Sequence, residues 1–187
     1  MAETEPTKKE TKQFYEKCSI NSNMRFYQID ISDEALKFSE EMNLCEKGIN
    51  VNLDDEKVEL LESLPKIDVV IATGCIGYIG YMAFVNLLKL IENRQSNSIE
   101  NKGEHVYPIF AFSVLRIFDM NDIEKTFERY NYTIIKKDMK PTIQRKFSDT
   151  EEKDETISML HRMGVSTEEY ENDGNFYADF YVAKYKN

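Results

Sequence analysis

Three observations predict an α/β fold with a mostly parallel sheet covered by helices on both faces. Through the first 136 residues, β-prone runs alternate with segments whose apolar residues recur at helical spacing. Asp68-Val-Val-Ile-Ala72 is a short continuous apolar run, the pattern of a strand buried on both faces. The chain closes on two β-prone runs, which read as an antiparallel strand pair at the edge.

The elements follow in order. Residues 1–22 are polar and read as a mobile tail leading into a short helix near Thr11–Lys17; the α/β domain is expected over 23–187. Arg25-Phe-Tyr-Gln-Ile-Asp-Ile31 is a strand stopped by Ser32-Asp33. Ser32 is a good N-cap for a helix carrying Ala35, Phe38, Met42 and Cys45 on one face, with Gly48 as its stop. Ile49–Leu53 alternates as a strand, and Asp54-Asp55-Glu56 charges the start of a helix to Leu64 in the sense the helix dipole prefers. After the Asp68–Ala72 strand, Thr73–Gly80 turns into a helix with Tyr81, Phe84, Val85, Leu88 and Ile91 on its apolar face. A polar surface loop is expected over 93–105. Val106–Leu115 is an aromatic strand, Ile123, Phe127 and Tyr130 mark a helix, and Tyr132–Lys136 is a strand. Thr142–Phe147 (strand), Thr150–Arg162 (helix), a turn at Asn172-Asp-Gly174 and Phe176–Ala183 (strand) complete the chain.

Composition excludes several classes of function. The 187 residues carry 34 Asp and Glu against 24 Lys and Arg, a net charge of -10. The basic pairs Lys8-Lys9, Lys136-Lys137 and Arg145-Lys146 lie apart among carboxylates, so binding to nucleic acid through its phosphates is disfavoured. No window approaches the ~20 apolar residues of a membrane span, and no apolar leader follows Met1. Cys18, Cys45 and Cys75 are odd in number and widely spaced, which points to reduced thiols and a cytoplasmic protein. Two histidines without a His-x-x-x-His pair give no metal site.

In open α/β sheets ligands bind beyond the carboxyl ends of the strands, so three strand ends matter. Asp30 closes the first strand, where a carboxylate can accept both hydroxyls of a ribose; the competing role is capping a turn. Asn50, Asn52 and Asp54 end the second and can read an adenine edge, or simply solvate a loop. Thr73-Gly74 follows the third, where small residues let backbone N–H groups approach a ligand. The glycines of Thr73–Gly80 are spaced by three, which is neither a dinucleotide fingerprint nor a P-loop. Cys75 with Gly77 makes half of a nucleophile elbow, but Thr73 stands where glycine is needed. The possible partners are His105, at the amino end of a strand, and His161, in a charged helix. Cys75 therefore reads as a small buried residue rather than the nucleophile of a thiol hydrolase. Tyr78, Tyr81, Phe110 and Phe112 lie near the strand ends, the two phenylalanines as core.

Tyr27-Gln-Ile-Asp30-Ile-Ser, Leu44–Leu53 and Asp68–Tyr78, in that order, resemble bacterial class I S-adenosylmethionine-dependent methyltransferases. Phe112-Ser-Val-Leu-Arg-Ile-Phe-Asp119 and Gln144-Arg-Lys-Phe147 are similar to the later part of the same family. The resemblance runs from Arg25 to Tyr185 and implies a Rossmann-like sheet. It implies that Asp30 binds the ribose of S-adenosylmethionine, Asn52 borders the adenine, Thr73 and Gly74 flank the methionine end, and Tyr78 faces a small-molecule acceptor. The catalytic residue is unknown; Tyr78, Asp119 and His105 are the candidate bases. The family's first strand carries a glycine-rich turn and lies between the strands of Asp30 and Val69-Val70. It is expected ahead of Arg25, where 24 residues contain no glycine. That departure leaves three expectations: the two strands pair directly, another chain supplies the missing strand, or the chain is a truncated product. It also gives the alternative of a degenerate module that acts through protein contacts.

Overall fold

The computed structural model describes residues 7–17, 23–55, 61, 64–99 and 107–186, with the backbone alone at 8, 78 and 95–99. The expected helix over 56–64 lies mostly outside these residues, as do Cys18 and His105. The chain forms two compact units, one of residues 1–52 and 57–61, the other of 53–56 and 62–187.

The first unit is built from α1 (Lys8–Glu16), β1 (Tyr27–Asp30), α2 (Asp33–Glu41) and β2 (Lys47–Asn50). α1 starts ahead of the expected Thr11 because Thr7 and Glu10 form a capping box. Ser32 caps α2 as expected, its Oγ accepting from the Ala35 N–H at 3.2 Å. The helix stops before Gly48, at Asn43, whose φ of 56° is left-handed. Gly48 instead lies in β2, where a Cβ would stand 2.8 Å from Leu36 Cβ, so its role is close approach of strand and helix. β1 and β2 pair in parallel, with Asp30 opposite Asn50.

The second unit holds β3 (Val69–Ala72), α3 (Ile76–Ile99), β4 (Ile109–Leu115), α4 (Asn121–Arg129), β5 (Tyr132–Lys136), β6 (Thr142–Lys146), α5 (Thr150–Arg162) and β7 (Asn175–Tyr185), with a 3₁₀ turn at Glu171–Asp173. Its sheet runs β3-β4-β7-β5, with β6 pairing β7. β3 and β4 are parallel, whereas β7 is antiparallel to β4, β5 and β6. The antiparallel strand is thus internal, between β4 and β5, rather than the expected edge. β5 takes its carboxyl-terminal half and β6 its amino-terminal half. The polar segment 93–99 expected as loop continues α3. Polar residues are compatible with a helix that keeps a solvated face.

Alternation along β4 assigns the two sheet faces. Phe110, Phe112 and Val114, each 1% exposed, pack with Phe84 and Leu88 of α3, Ile123 and Phe127 of α4, and Tyr132 of β5. Phe127 is fully buried, 5.0 Å from Phe110 and 5.6 Å from Phe112 between ring centroids. The opposite face departs from the expectation of cover on both sides. Val69, Ile71, Ile109 and Ile135 share it through the strand register and are 49%, 62%, 39% and 46% exposed. β3 is therefore not the doubly buried strand its apolar run suggests. Among the described residues it has β4 on one side and no strand on the other.

Two core substitutions separate packing from polarity. Phe127→Ala is expected to cost about 3–5 kcal/mol, as for other large-to-small core changes. The Tyr132 hydroxyl is buried without a hydrogen-bond partner among the described residues. Tyr132→Phe should accordingly be neutral or stabilising by ~1 kcal/mol, because it removes a desolvated polar group. Urea denaturation followed by circular dichroism measures both.

Candidate functional site

In the first unit the carboxyl ends of β1 and β2 meet side by side. Asp30 is the last residue of β1, and its Oδ1 accepts from the Ser32 N–H at 2.9 Å, so one carboxylate oxygen shapes the turn into α2. The turn-capping role is present, and it leaves Oδ2 as a second acceptor on the same carboxylate. Asn50 donates through Nδ2 to the Ile31 carbonyl at 3.1 Å and to Asp33 Oδ1 at 2.8 Å, tying the two strand ends together. Asn52 is exposed two residues beyond β2. Asp30 and Asn52 therefore share one unit and one strand edge.

Thr73 and Gly74 stand beyond the carboxyl end of β3 in the second unit. Gly74 has φ of 73°, left-handed and suited to glycine, and its N–H donates to Ser113 Oγ at 3.3 Å. A Cβ there would meet Gln144 Oε1 of β6 at 3.3 Å. Ser113 of β4 and Gln144 of β6 thus flank the Thr73-Gly74 corner, both from segments that the sequence marked out. α3 begins at Ile76, so Tyr78 lies in its first turn; Gly80, at φ 61° and ψ -175°, breaks that turn from the long helix beyond. A Cβ on Gly77 would stand 2.3 Å from the Phe118 ring, so glycine lets the loop after β4 lie against this first turn.

The other candidates are engaged elsewhere. Asp119 accepts from the Asn121 N–H at 2.9 Å and from Asn121 Nδ2 at 2.8 Å, which makes it the local organiser of the start of α4. His161 Nε2 lies 3.1 Å from the hydroxyl of buried Thr167. Cys75 is half-buried, Tyr81 is exposed, and Phe110 and Phe112 are core. Among the described residues no group of three or more His, Cys, Asp or Glu could hold a metal ion. No helix among them is long and apolar enough to cross a membrane.

A charged cluster that the sequence reading passed over lies at the carboxyl ends of β4 and β5. Arg116, the residue after β4, donates to Glu171 Oε2 at 2.6 Å and to the Ser166 carbonyl at 2.7 Å, and its guanidinium stacks 4.5 Å over Tyr170. Lys136, the last residue of β5, donates to Asp179 Oδ2 of β7 at 2.6 Å. The Glu171 side chain is 1% exposed and that of Asp179 10%. Burial pushes the Glu171 carboxyl above its ordinary value, opposed by the Arg116 charge. Two signals in the sequence point here: an arginine following an apolar strand, and Asp179 inside the apolar run Phe176–Ala183.

β6 reaches the Thr73-Gly74 corner because a second ion pair fixes it. Arg145 grips Glu152 of α5 at 2.6 and 2.9 Å, while Glu152 accepts from the Ser148 N–H at 2.7 Å. Arg145, and then the Ser148 N–H, hold the Glu152 carboxyl down to about 2. A depressed folded value means that this contribution is present above the ordinary 4.5 and is lost as pH falls toward about 2. Glu152→Gln is expected to lose less stability than the parent over that acid range; urea midpoints measured against pH give the comparison.

In comparisons with known proteins, no family model and no curated protein matches this chain.

Proposed function

We propose that the protein is an S-adenosylmethionine-dependent methyltransferase acting on a small-molecule acceptor in the cytoplasm. The observation that carries this reading is the parallel register that ends β1 at Asp30 and β2 at Asn50, with Asn52 just beyond. A carboxylate and amides on one carboxyl edge match the two halves of an adenosine, the carboxylate for the ribose hydroxyls and an amide for the adenine edge. Thr73 and Gly74 belong to the other unit, and the family resemblance is what assigns them to the methionine end.

In such a reaction the nucleophile of the acceptor attacks the methyl carbon as the sulfonium–carbon bond breaks. The sulfonium is already a good leaving group, so the protein chiefly aligns the two molecules and keeps water from the approach. The acceptor surrenders a proton only where its nucleophile carries one. Tyr78, by its place in the first turn of α3, is assigned to the acceptor.

Calorimetric titration with S-adenosylmethionine should give saturable heat. Asp30→Asn, which keeps an oxygen for the Ser32 N–H but removes the charge, should bind about tenfold more weakly, the loss of one charge-assisted hydrogen bond. No heat from the unmodified chain at millimolar ligand overturns the reading.

Exposure at β3 favours a second reading, a module that acts through contacts with a second protein chain. Among the described residues no strand pairs the outer side of β3, and Val69 and Ile71 are 49% and 62% exposed. An open apolar strand edge is a template for a strand from another chain. Light scattering should then report a mass above that of one chain, reduced by Ile71→Lys. A monomer with a single cooperative thermal transition would exclude that reading.

A further inference from the structure

We infer that the cleft at the carboxyl ends of β4 and β5 is a binding site for the oxyanion of a small acidic molecule, a carboxylate or a phosphate. The cleft has a volume of about 400 Å³ and is lined by Arg116, Lys136, Lys137, Asp138, Tyr170 and Asp179, among others. Its buried carboxylates are already paired. Glu171, 1% exposed, pairs with Arg116, and Asp179, which lines the cleft at 10% exposure, pairs with Lys136, at 2.6 Å each. The Lys136 side chain is 55% exposed, and Lys137 is exposed beside it. Solvent therefore meets two ammonium groups against one exposed carboxylate, Asp138, in a chain whose net charge is -10.

Stability alone gives little reason for this construction. A buried ion pair such as Arg116–Glu171 is often no better for folding than apolar residues of the same volume. What the pairs do is hold two cations in fixed places. The Arg116 fork is clamped by Glu171, the Ser166 carbonyl and the Tyr170 ring, and Lys136 is clamped by Asp179. Fixed donors bind an oxyanion with less ordering cost than mobile surface lysines. The position adds to this, since the cleft opens at the strand edge where α/β sheets take their ligands. Tyr170 and Met139 give the cleft apolar surface for the body of an organic acid.

That this ligand is the methyl acceptor rests on the methyl-transfer reading; the anion site does not, and it is tested without S-adenosylmethionine. Inorganic phosphate and succinate are titrated separately into the full chain at constant ionic strength, with backbone amide resonances followed by NMR. Saturable shifts at Arg116, Lys136, Lys137 and Tyr170 are expected with at least one probe, and the stronger of the two identifies the oxyanion. Lys137→Gln, an exposed change that leaves both ion pairs in place, should weaken that probe about tenfold. Millimolar phosphate and succinate producing no saturable shifts in the cleft would overturn the proposal. So would an affinity of the Lys137→Gln variant unchanged from that of the unmodified chain.

Discussion

Packing of aromatic side chains along one face of β4 is the constraint on which the second unit depends. Phe110 and Phe112 project from alternate positions of β4 and meet Phe84 of α3 and Phe127 of α4 at ring-centroid distances of 5.0–6.3 Å. Each ring buries a large apolar area, and edge-to-face and offset contacts add a smaller specific increment. Because one strand packs against both helices, β4 holds α3 and α4 on the same face of the sheet. Gly74, Ser113 and Arg116, the polar residues of the carboxyl edge, therefore inherit their placement from an apolar cluster lying below them.

Placing β7 inside the sheet has a chemical consequence. A strand antiparallel to β4 and β5 brings its amino-terminal half to their carboxyl ends, so Asp179 pairs with Val114 two residues before Arg116. Lys136 lies opposite Tyr181, making Asp179 its diagonal neighbour on the same face. All-parallel strands would have put that carboxylate at the other end of the sheet. The internal reversal thus supplies the acid that holds Lys136, and Arg116 N–H donates to the Tyr177 carbonyl at 3.0 Å to join the same edge.

Local chemistry made much of this legible. Ser32 caps its helix by its side-chain oxygen, and the helix Thr150–Arg162 and strand Tyr132–Lys136 stand at the bounds their residues suggest. Asp30 closes its strand as read, and its second role as a turn cap followed from the same short acidic side chain. What failed was non-local. An apolar run such as Asp68–Ala72 has the same letters whether its strand has one neighbour or two, and one covered face or two. The closing strand is legible after the turn at Gly174, but nothing in Phe176–Ala183 specifies insertion between β4 and β5. Gly48 has the local pattern of a helix stop, because its contact with Leu36 exists only after strand and helix meet.

The charged cluster is hidden in the sequence for a related reason. Arg116, Lys136, Glu171 and Asp179 are scattered over 64 positions of sequence, so no spacing rule links them. Each has the bland local reading of a solvated surface charge. Burial reverses that reading: a carboxylate 1% exposed beside a guanidinium 10% exposed has lost its water and needs its partner. Removing either member would strand the other in an apolar setting, whereas replacing both by well-packed apolar residues need cost little. A site whose parts are costly singly and dispensable together is held for what its charges present to the cleft, not for the fold beneath it.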